Sequence, residues 1–286
     1  MAKQQGVVII GGGIMGGDVA IIFAAGNWNV YVMSPSEKTR ASLPGRLKTG
    51  LAKLGAPESA AANVKTITTL EEIPWKDVDL VIEAATEDLA LKKKLFSQLE
   101  TLARPDIPLA SNTSTFPIGE IGGHLKTRSR VFGLHYFMPA HLVPLVEIIQ
   151  ADFSDPKIGD ALEVQQKSLG KAPVRVNKDI PGFIGNRILR VYFGQCDKIM
   201  WEGAYPDQID KAIFDFGFAQ GPYGVRDQSG LDIGYQARKA QGGSNERRFL
   251  LSDTLCDMGR RGQKTGAGFY KYEKGDRTPH VDPEVN

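Results

Sequence analysis

Two polar side chains on neighbouring predicted strands have the chemistry of a proton-transfer pair. His135 lies in the apolar run 130–137 and Glu147 in the run 142–149, with a turn predicted between them. A carboxylate beside an imidazole fixes the tautomer of the ring and raises its basicity, and histidine titrates near neutral pH. The pair is therefore suited to removing a proton from an alcohol. The alternative interpretation is a half-buried strand histidine with a satisfied hydrogen-bond partner.

Further polar residues stand where a ligand is expected. The segment 111–114 lies at the carboxyl end of a predicted strand, and Asn186 begins a helical region. Ligands of open α/β sheets bind outside the carboxyl ends of the strands. Asn112, Ser114 and Asn186 are therefore candidates for a site shared with His135. No spacing of cysteines and histidines predicts a metal site.

A glycine-rich hexamer, residues 11–16, follows the apolar run 7–10 directly. Gly11 permits a tight turn off the strand, Gly13 lets the backbone approach a pyrophosphate, and Gly16 lets the helix pack closely on the strand. The N-terminus of that helix presents free N–H groups to the phosphates. Because the hexamer lies between a predicted strand and a predicted helix, we favour a nicotinamide dinucleotide site over an ordinary glycine-rich turn.

The residue expected to accept the ribose hydroxyls of NAD is not acidic in this chain. That position, at the end of the second predicted strand, is Ser34, and Ser36, Lys38 and Arg40 follow it. A carboxylate would repel the 2′-phosphate of NADP, whereas hydroxyls and nearby cations accept it. NADP is therefore an alternative to NAD. A solvated turn that starts a helix is the other interpretation of this segment.

Short apolar runs rich in β-branched residues alternate with segments of helical periodicity over the first part of the chain. Such alternation is typical of a parallel sheet with helices packed on both faces. Pro44-Gly45 weighs against one continuous helix in the second helical segment. The predicted strands are 7–10, 30–33, 78–82, 109 onward, 130–137, 142–149 and 174–176, and the predicted helices are 18–25, 37–53, 87–103 and 158–169.

The pattern changes near residue 180, after which the periodicity is helical and the one predicted strand is 268–272. Strands that alternate with helices, followed by a run of helices, indicate two domains. We therefore predict an α/β Rossmann-like N-terminal domain, residues 1–180, followed by a smaller all-helical C-terminal domain, residues 181–286.

Composition and charge restrict the class of protein. Of 286 residues, 42% are hydrophobic and 24% are charged, and the formal net charge is +2. These values are ordinary for a globular protein and do not indicate a nucleic-acid binder. Cys196 and Cys256 are too few for a disulfide framework and fit reduced thiols in a cytoplasmic enzyme. Because no apolar segment approaches the ~20 residues of a transmembrane helix, we expect no membrane association.

Six motifs in order along nearly the whole chain resemble the L-3-hydroxyacyl-CoA dehydrogenase family. No single motif is decisive, but the combination is highly specific. The motifs are Gly11–Gly16, Asp79–Glu87, Ser111–Ser114, His135–Pro139, Pro181–Arg187 and Gly262–Tyr270. The segment Asp227–Gly234 and the C-terminal tail further resemble the dehydrogenase part of fused fatty-acid-oxidation enzymes.

The resemblance implies a Rossmann-like domain, a small helical domain that mediates homodimerisation, and an active site in the cleft between them. It implies reversible hydride transfer between a (3S)-3-hydroxyacyl-CoA and NAD, which gives the 3-oxoacyl-CoA. His135 would be the general base and Glu147 its orienting partner, and Ser114 and Asn186 would hold the 3-oxygen of the substrate. The predicted cofactor-binding residues are Gly11, Gly13, Ile14, Met15, Gly16, Ser34, Ala85, Glu87, Lys92 and Asn112.

Three features depart from the family pattern. Ser34 stands where the family has an aspartate. Met138 stands where the family has a small polar residue beside the active site, which predicts an altered acyl pocket. The fused enzymes continue into a second helical domain that this sequence lacks. We expect a homodimer to supply that surface, and the alternative is that the sequence is a fragment of a longer fused enzyme.

Two other functions stay open at this stage. One is a related dehydrogenase of a hydroxy acid or carnitine-like alcohol without CoA. A CoA enzyme needs cations for the phosphates of CoA, and Arg46, Lys48 and Lys53 are candidates, although they could equally form a solvated face. The other is a non-catalytic cofactor-binding protein similar to a lens crystallin. The joint presence of four candidate catalytic residues argues against it: His135, Glu147, Ser114 and Asn186.

Overall fold

The computed structural model describes residues 4–240, 242–243, 246–276 and 278–285. The chain divides into two compact units, Met1–Asn186 and Arg187–Asn286. The boundary predicted after residue 180 falls shortly before this division. Within the described part of the chain, no helix is both long and apolar enough to cross a membrane.

The first unit is built on one sheet, whose strand order among the described residues is β3-β2-β1-β4-β5-β6-β7-β8. Neighbouring strands are parallel except for the antiparallel pair of β6 and β7. The order 3-2-1-4-5-6 is that of a doubly wound dinucleotide-binding sheet, so the predicted Rossmann-like class is confirmed. The strands are β1 Gly6–Ile10, β2 Asn29–Met33, β3 Val64–Ile67, β4 Leu80–Glu83, β5 Leu109–Ser111, β6 Val131–Tyr136, β7 Leu145–Gln150 and β8 Ala172–Val176.

Helices cover both faces of this sheet because successive side chains of a strand point in opposite directions. In β1, Val7 and Ile9 pack in one core with Phe23, whereas Val8 and Ile10 pack in the other core. The helices of the first core are α1 Ile14–Ala25, α2 Glu37–Lys53 and α5 Pro156–Ser168, and those of the second are α3 Leu89–Leu102 and α4 Ile118–Gly122.

Two helical predictions in this unit need correction. Helix α1 begins at Ile14 and not at Asp18, because Gly13 is its N-cap residue and the following glycines lie inside the helix. Helix α2 continues through Pro44 without interruption. Its leucines at every fourth position, Leu43, Leu47 and Leu51, are buried. We infer that their packing outweighs the backbone hydrogen bond that proline removes.

The second unit is helical among its described residues, and its core includes Tyr223, Leu255 and Phe269. The predicted strand 268–272 is wrong, because this segment forms only isolated bridges. The backbone amides of Phe269 and Tyr270 instead donate to the buried Asp227 carboxylate, both at 2.9 Å. The helices are α6 Gly185–Trp201, which begins in the first unit, α7 Pro206–Asp215, α8 Pro222–Ser229, α9 Asp232–Ala240 and α10 Arg247–Asp257.

Candidate active site

His135 and Glu147 face each other across the antiparallel strands β6 and β7. The Nδ1 atom of His135 lies 2.7 Å from Oε2 of Glu147, and both side chains are buried. The predicted hydrogen bond between them is therefore confirmed. Because an ionised carboxylate only accepts hydrogen bonds, it holds the proton on Nδ1 and leaves Nε2 as the nitrogen for proton exchange.

The second carboxylate oxygen of Glu147 accepts hydrogen bonds from the backbone. Oε1 accepts from the amides of Ile184 at 3.0 Å and Gly185 at 2.7 Å, at the start of α6. Burial alone would raise the pKa of Glu147, but the hydrogen bonds from His135 and these amides outweigh it. The pKa of Glu147 therefore lies below its usual range, and the carboxylate is charged at neutral pH.

Two aromatic rings enclose His135. The centroid of Phe137 lies 4.5 Å from that of the imidazole, and the centroid of Phe183 lies at 5.8 Å. The side chain of Met138 follows at the start of the β6–β7 connection and is 44% exposed. Its predicted effect on the acyl pocket stays a prediction.

The loop after β5 brings two predicted substrate residues together. The side-chain amide of Asn186 donates to the backbone carbonyl of Ser114 at 3.3 Å. Asn112 is fixed beside β6, because its Oδ1 atom accepts from the amide of Tyr136 at 3.0 Å. The structure thus places Asn112, Ser114 and Asn186 in one local framework with the strand that carries His135. Their roles towards substrate and cofactor stay predictions.

A buried ionic network, which the sequence reasoning missed, lies beneath this loop. Glu83 ends β4 and is fully buried. Its oxygens accept from Lys92 Nζ at 2.8 and 2.9 Å and from Ser111 Oγ at 2.6 Å. Its Oε1 atom also accepts from the amide of Ala85 at 2.7 Å. The sequence contains one signal for this network: Glu83 directly follows the apolar residues 80–82. A charged residue at the end of a buried strand needs a hydrogen-bonding or ionic partner.

The same network contains two residues predicted to contact the cofactor. Lys92 is 1% exposed, and its ammonium group also lies 3.1 Å from Oε2 of Glu87. The hydroxyl of Thr113 donates to the other carboxylate oxygen of Glu87. Lys92 has three N–H donors for three close carboxylate oxygens, so it holds Glu83 and Glu87 together. The hydroxyls of Ser111 and Thr113 tie the end of β5 and the loop after it to these two carboxylates. Contact of Ala85, Glu87 and Lys92 with a cofactor stays a prediction.

The glycine turn after β1 has the shape that a pyrophosphate requires. Gly11 has φ +106°, and a Cβ atom there would lie 2.4 Å from the carbonyl oxygen of Ala84. A Cβ atom on Gly16 would lie 1.8 Å from the carbonyl oxygen of Gly11. Around Gly13, in contrast, the space is open to 4 Å. Ile14, the first residue of α1, is 67% exposed, so the residues present fit a dinucleotide at this helix N-terminus.

Comparison with known proteins bears on this arrangement. A family model described as the NAD-binding domain of 3-hydroxyacyl-CoA dehydrogenase matches residues 6–180. The model of the C-terminal domain of 3-hydroxyacyl-CoA dehydrogenase matches residues 182–272. The chain belongs to the 3-hydroxyacyl-CoA dehydrogenase family.

Relatives and solved structures agree with this assignment. The peroxisomal bifunctional enzyme of Danio rerio is 36% identical over 302 residues, which cover 98% of this chain and 41% of that protein. A Caenorhabditis elegans protein named probable 3-hydroxyacyl-CoA dehydrogenase is 33% identical, and the match covers 96% of this chain and 94% of that protein. The structure of (S)-3-hydroxybutyryl-CoA dehydrogenase PaaH1 from Ralstonia eutropha has a TM-score of 0.80 at 30% identity, covering 95% of this chain and 100% of that one.

The chain is shorter than several of these family members. It spans 41% of the length of the Danio rerio bifunctional enzyme and 39% of that of the guinea pig (Cavia porcellus) enzyme.

Ser34, the departure from the family pattern at the ribose position, directly follows β2 and is buried. The guanidinium group of Arg40 donates to its backbone carbonyl at 2.5 Å. Ser36 caps α2, since its hydroxyl accepts from the amide of Thr39 at 3.3 Å. The segment therefore contains the predicted helix start, and it also places a cation beside Ser34.

The predicted CoA cations of the segment 37–53 have different partners. Arg46 donates to the backbone carbonyls of Gly12 and Gly13, so its terminal nitrogens are engaged at the glycine turn. Lys48 pairs with Glu58 at 3.0 Å on the surface. Contact of Arg46, Lys48 or Lys53 with the phosphates of CoA stays a prediction.

Alanine substitutions at Gly13 and at Gly16 are expected to have different effects: the first should weaken NADH binding, and the second should destabilise the fold. The Gly13→Ala methyl group enters open space, so the protein should fold normally, but the methyl stands where the sequence predicts that the pyrophosphate approaches. We expect NADH affinity to fall about tenfold or more. The Gly16→Ala methyl group collides with backbone, and we expect the free energy of unfolding to fall by about 2 kcal/mol or more. Urea unfolding and NADH fluorescence titration measure the two effects, and NADH affinity of wild-type strength in Gly13→Ala would contradict the first.

Proposed function

We propose that the protein catalyses reversible hydride transfer between a (3S)-3-hydroxyacyl-CoA and NAD, giving the 3-oxoacyl-CoA. The observation that carries this proposal is the buried pair of His135, near the end of β6, and Glu147 on β7. Strands β1, β4, β5 and β6 are parallel neighbours, so their carboxyl ends lie along one edge of the sheet. The glycine turn, Ala85, Asn112 and His135 therefore share the edge at which ligands of such sheets bind.

In the proposed oxidation, Nε2 of His135 removes the proton of the 3-hydroxyl group. The hydride from the same carbon leaves for the nicotinamide, which supplies the redox chemistry when the cofactor is bound. The two electrons of the former O–H bond complete the carbonyl, so the products are the 3-oxo compound, reduced cofactor and a protonated His135. In the reverse direction His135 returns the proton. Ser114 and Asn186 are proposed to hold the 3-oxygen.

Glu147 supports this chemistry by its charge. Because its pKa lies below the usual range, the carboxylate is ionised before His135 gains a proton, and it stabilises the resulting imidazolium. Its folded-state pKa is lowered, so the stability that it contributes is present above the unfolded-state pKa and is lost as pH falls through the folded-state value. Near neutral pH, Glu147 therefore stays charged throughout the catalytic cycle.

We propose NAD as the principal cofactor and NADP as an accepted alternative. The family model that matches residues 6–180 is that of an NAD-binding domain. Use of NADP is supported by Ser34, which adds no negative charge at the ribose position, and by the guanidinium of Arg40 against the Ser34 carbonyl. A 2′-phosphate would find a hydroxyl and a cation there rather than a carboxylate.

We also propose that the protein is a homodimer formed through its second unit. Ile188, Val191 and Phe216 are 64%, 65% and 81% exposed. Tyr192 of α6 stacks on Phe218 with ring centroids 5.6 Å apart, and Phe218 lies 6.3 Å from Phe216. Ile188 and Val191 lie on the same helix as Tyr192. Exposed aromatic side chains in contact, with exposed aliphatic side chains on the same helix, are typical of a protein interface. The cytoplasmic location stays a prediction, and some relatives are named peroxisomal.

Replacement of His135 tests the proposed reaction. In a spectrophotometric assay of acetoacetyl-CoA reduction, we expect wild-type protein to oxidise NADH. We expect His135→Gln to lower kcat about 10²- to 10⁴-fold, because general acid–base catalysis contributes that much. NADH affinity should stay unchanged. His124→Gln is the matched control, since that exposed ring lies outside the candidate site and forms a hydrogen bond with Ser97 on α3. Undiminished kcat in His135→Gln would refute its role.

Ser34→Asp tests the cofactor proposal. The new carboxylate repels a 2′-phosphate and accepts from ribose hydroxyls, so we expect kcat/KM with NADPH to fall about tenfold or more while that with NADH is kept. Parallel assays with both cofactors check this. Arg40→Gln should lower kcat/KM with NADPH selectively. If the wild-type protein strongly prefers NADH and Arg40→Gln changes neither value, NADP is not an accepted cofactor.

Sedimentation velocity tests the proposed dimer. We expect wild-type protein to sediment with about twice the mass of the 31.2 kDa chain, because burial of the apolar side chains drives association. Phe216→Asp places a charge among these side chains and should yield monomers. Val164→Asp is the matched control, because Val164 is 68% exposed on α5 of the first unit. A monomeric wild-type protein would overturn the proposal.

A further inference from the structure

Arg46 reaches from α2 to the glycine turn and binds two consecutive peptide groups. Its Nη2 atom donates to the carbonyl oxygen of Gly12 at 2.6 Å, and its Nη1 atom donates to that of Gly13 at 2.9 Å. These carbonyls belong to the peptide units 12–13 and 13–14, whose N–H groups are those of Gly13 and Ile14. Ile14 is the first residue of α1, so both N–H groups stand at the helix terminus.

The carbonyl oxygen of each peptide unit accepts a hydrogen bond from Arg46. The N–H group at the other end of the unit can still donate to an anion. Hydrogen bonds in a chain polarise one another, so a cation on a carbonyl strengthens the N–H donor at the other end of the same peptide unit. The guanidinium also adds a full positive charge to the partial charge of the helix N-terminus. Both effects favour an anion at the N–H groups of Gly13 and Ile14.

Gly17 supplies an independent observation. It lies inside α1, one residue after the glycine that packs on the backbone of the turn. A Cβ atom on Gly17 would lie 2.5 Å from Nη1 of Arg46 and 2.9 Å from its Cζ, and the three nearest atoms all belong to that guanidinium. Glycine at this position thus leaves the space in which Arg46 lies against α1.

We propose that Arg46 is a positioning residue of the dinucleotide site, which raises affinity for the cofactor pyrophosphate through the peptide units 12–13 and 13–14. Gly17 is required because it admits the guanidinium. This inference rests on the proposed function, since it takes the glycine turn as the pyrophosphate site. Arg46 then acts on the cofactor and not on the substrate. Its replacement should lower the affinity for NADH and leave the rate of hydride transfer unchanged.

Titrations with NADH and with ADP-ribose test the inference. We expect Arg46→Gln to weaken both ligands by the same factor, about tenfold, because both contain the pyrophosphate and only NADH contains nicotinamide. Arg46→Lys, which keeps the charge and one donor group, should recover part of the affinity. At saturating NADH, kcat should equal that of wild type. Arg128→Gln is the matched control, because Arg128 also donates to a glycine carbonyl, that of Gly123, at 3.2 Å.

Gly17→Ala gives a second test that does not depend on removing the arginine. Alanine is the better helix former, so the variant should be at least as resistant to urea as wild type. Its methyl group displaces the guanidinium, and we expect the same loss of NADH and ADP-ribose affinity as in Arg46→Gln. In the double variant the two losses should not add, because both remove one interaction.

The outcomes distinguish this inference from the proposed function. If wild-type protein binds neither NADH nor ADP-ribose, the proposed function fails. If wild-type protein binds both and Arg46→Gln binds both equally well, the inference fails alone. A loss of NADH affinity without a loss of ADP-ribose affinity, or fully additive losses in the double variant, also overturns it.

Discussion

The buried carboxylate of Glu147 needs hydrogen-bond donors, because an ion without partners in a protein interior costs several kcal/mol. Its three donors come from different places in the chain: the imidazole of His135 on β6 and the amides of Ile184 and Gly185 at the start of α6. A single charge therefore orients the ring of His135 and fixes the backbone that leads into Asn186. The tautomer of the base and the position of the neighbouring amide depend on the same carboxylate.

The Glu83 carboxylate, at the carboxyl end of β4, likewise holds several chain segments together through hydrogen bonds. It accepts hydrogen bonds from Lys92, the hydroxyl of Ser111 and the amide of Ala85, so one carboxylate links the end of β5 to the loop after β4. Replacing either member of a buried ion pair leaves an uncompensated charge, which is why such pairs resist change in one partner. Two hydrogen-bonded carboxylates thus hold the segments that border the candidate site, so the side chains proposed to bind ligands need not supply this stability themselves.

The features that could be predicted from the sequence are those governed by local patterns. The glycine turn follows from its position between a strand and a helix, and the facing of His135 and Glu147 follows from two strands joined by a short turn. The contacts of Glu83 and Arg46 could not be predicted, since Arg46 binds carbonyls more than thirty positions away. The predicted strand 268–272 was wrong for the same reason. Its local pattern is strand-like, but distant Asp227 binds its amides.

In helix α2, the packing of buried leucines outweighs the tendency of Pro44 to break a helix. The uninterrupted helix then positions two arginines at the candidate site. Pro44 disfavours a helix by removing one hydrogen bond, yet the buried leucines hold the segment helical on both sides of it. Arg40 precedes the proline and Arg46 follows it, and each guanidinium reaches a carbonyl beyond a different strand, β2 or β1. A break at Pro44 would uncouple the two side chains. Continuity of α2 is therefore what allows one helix to place one cation beside Ser34 and another at the glycine turn, the proposed ribose and phosphate ends of the dinucleotide site.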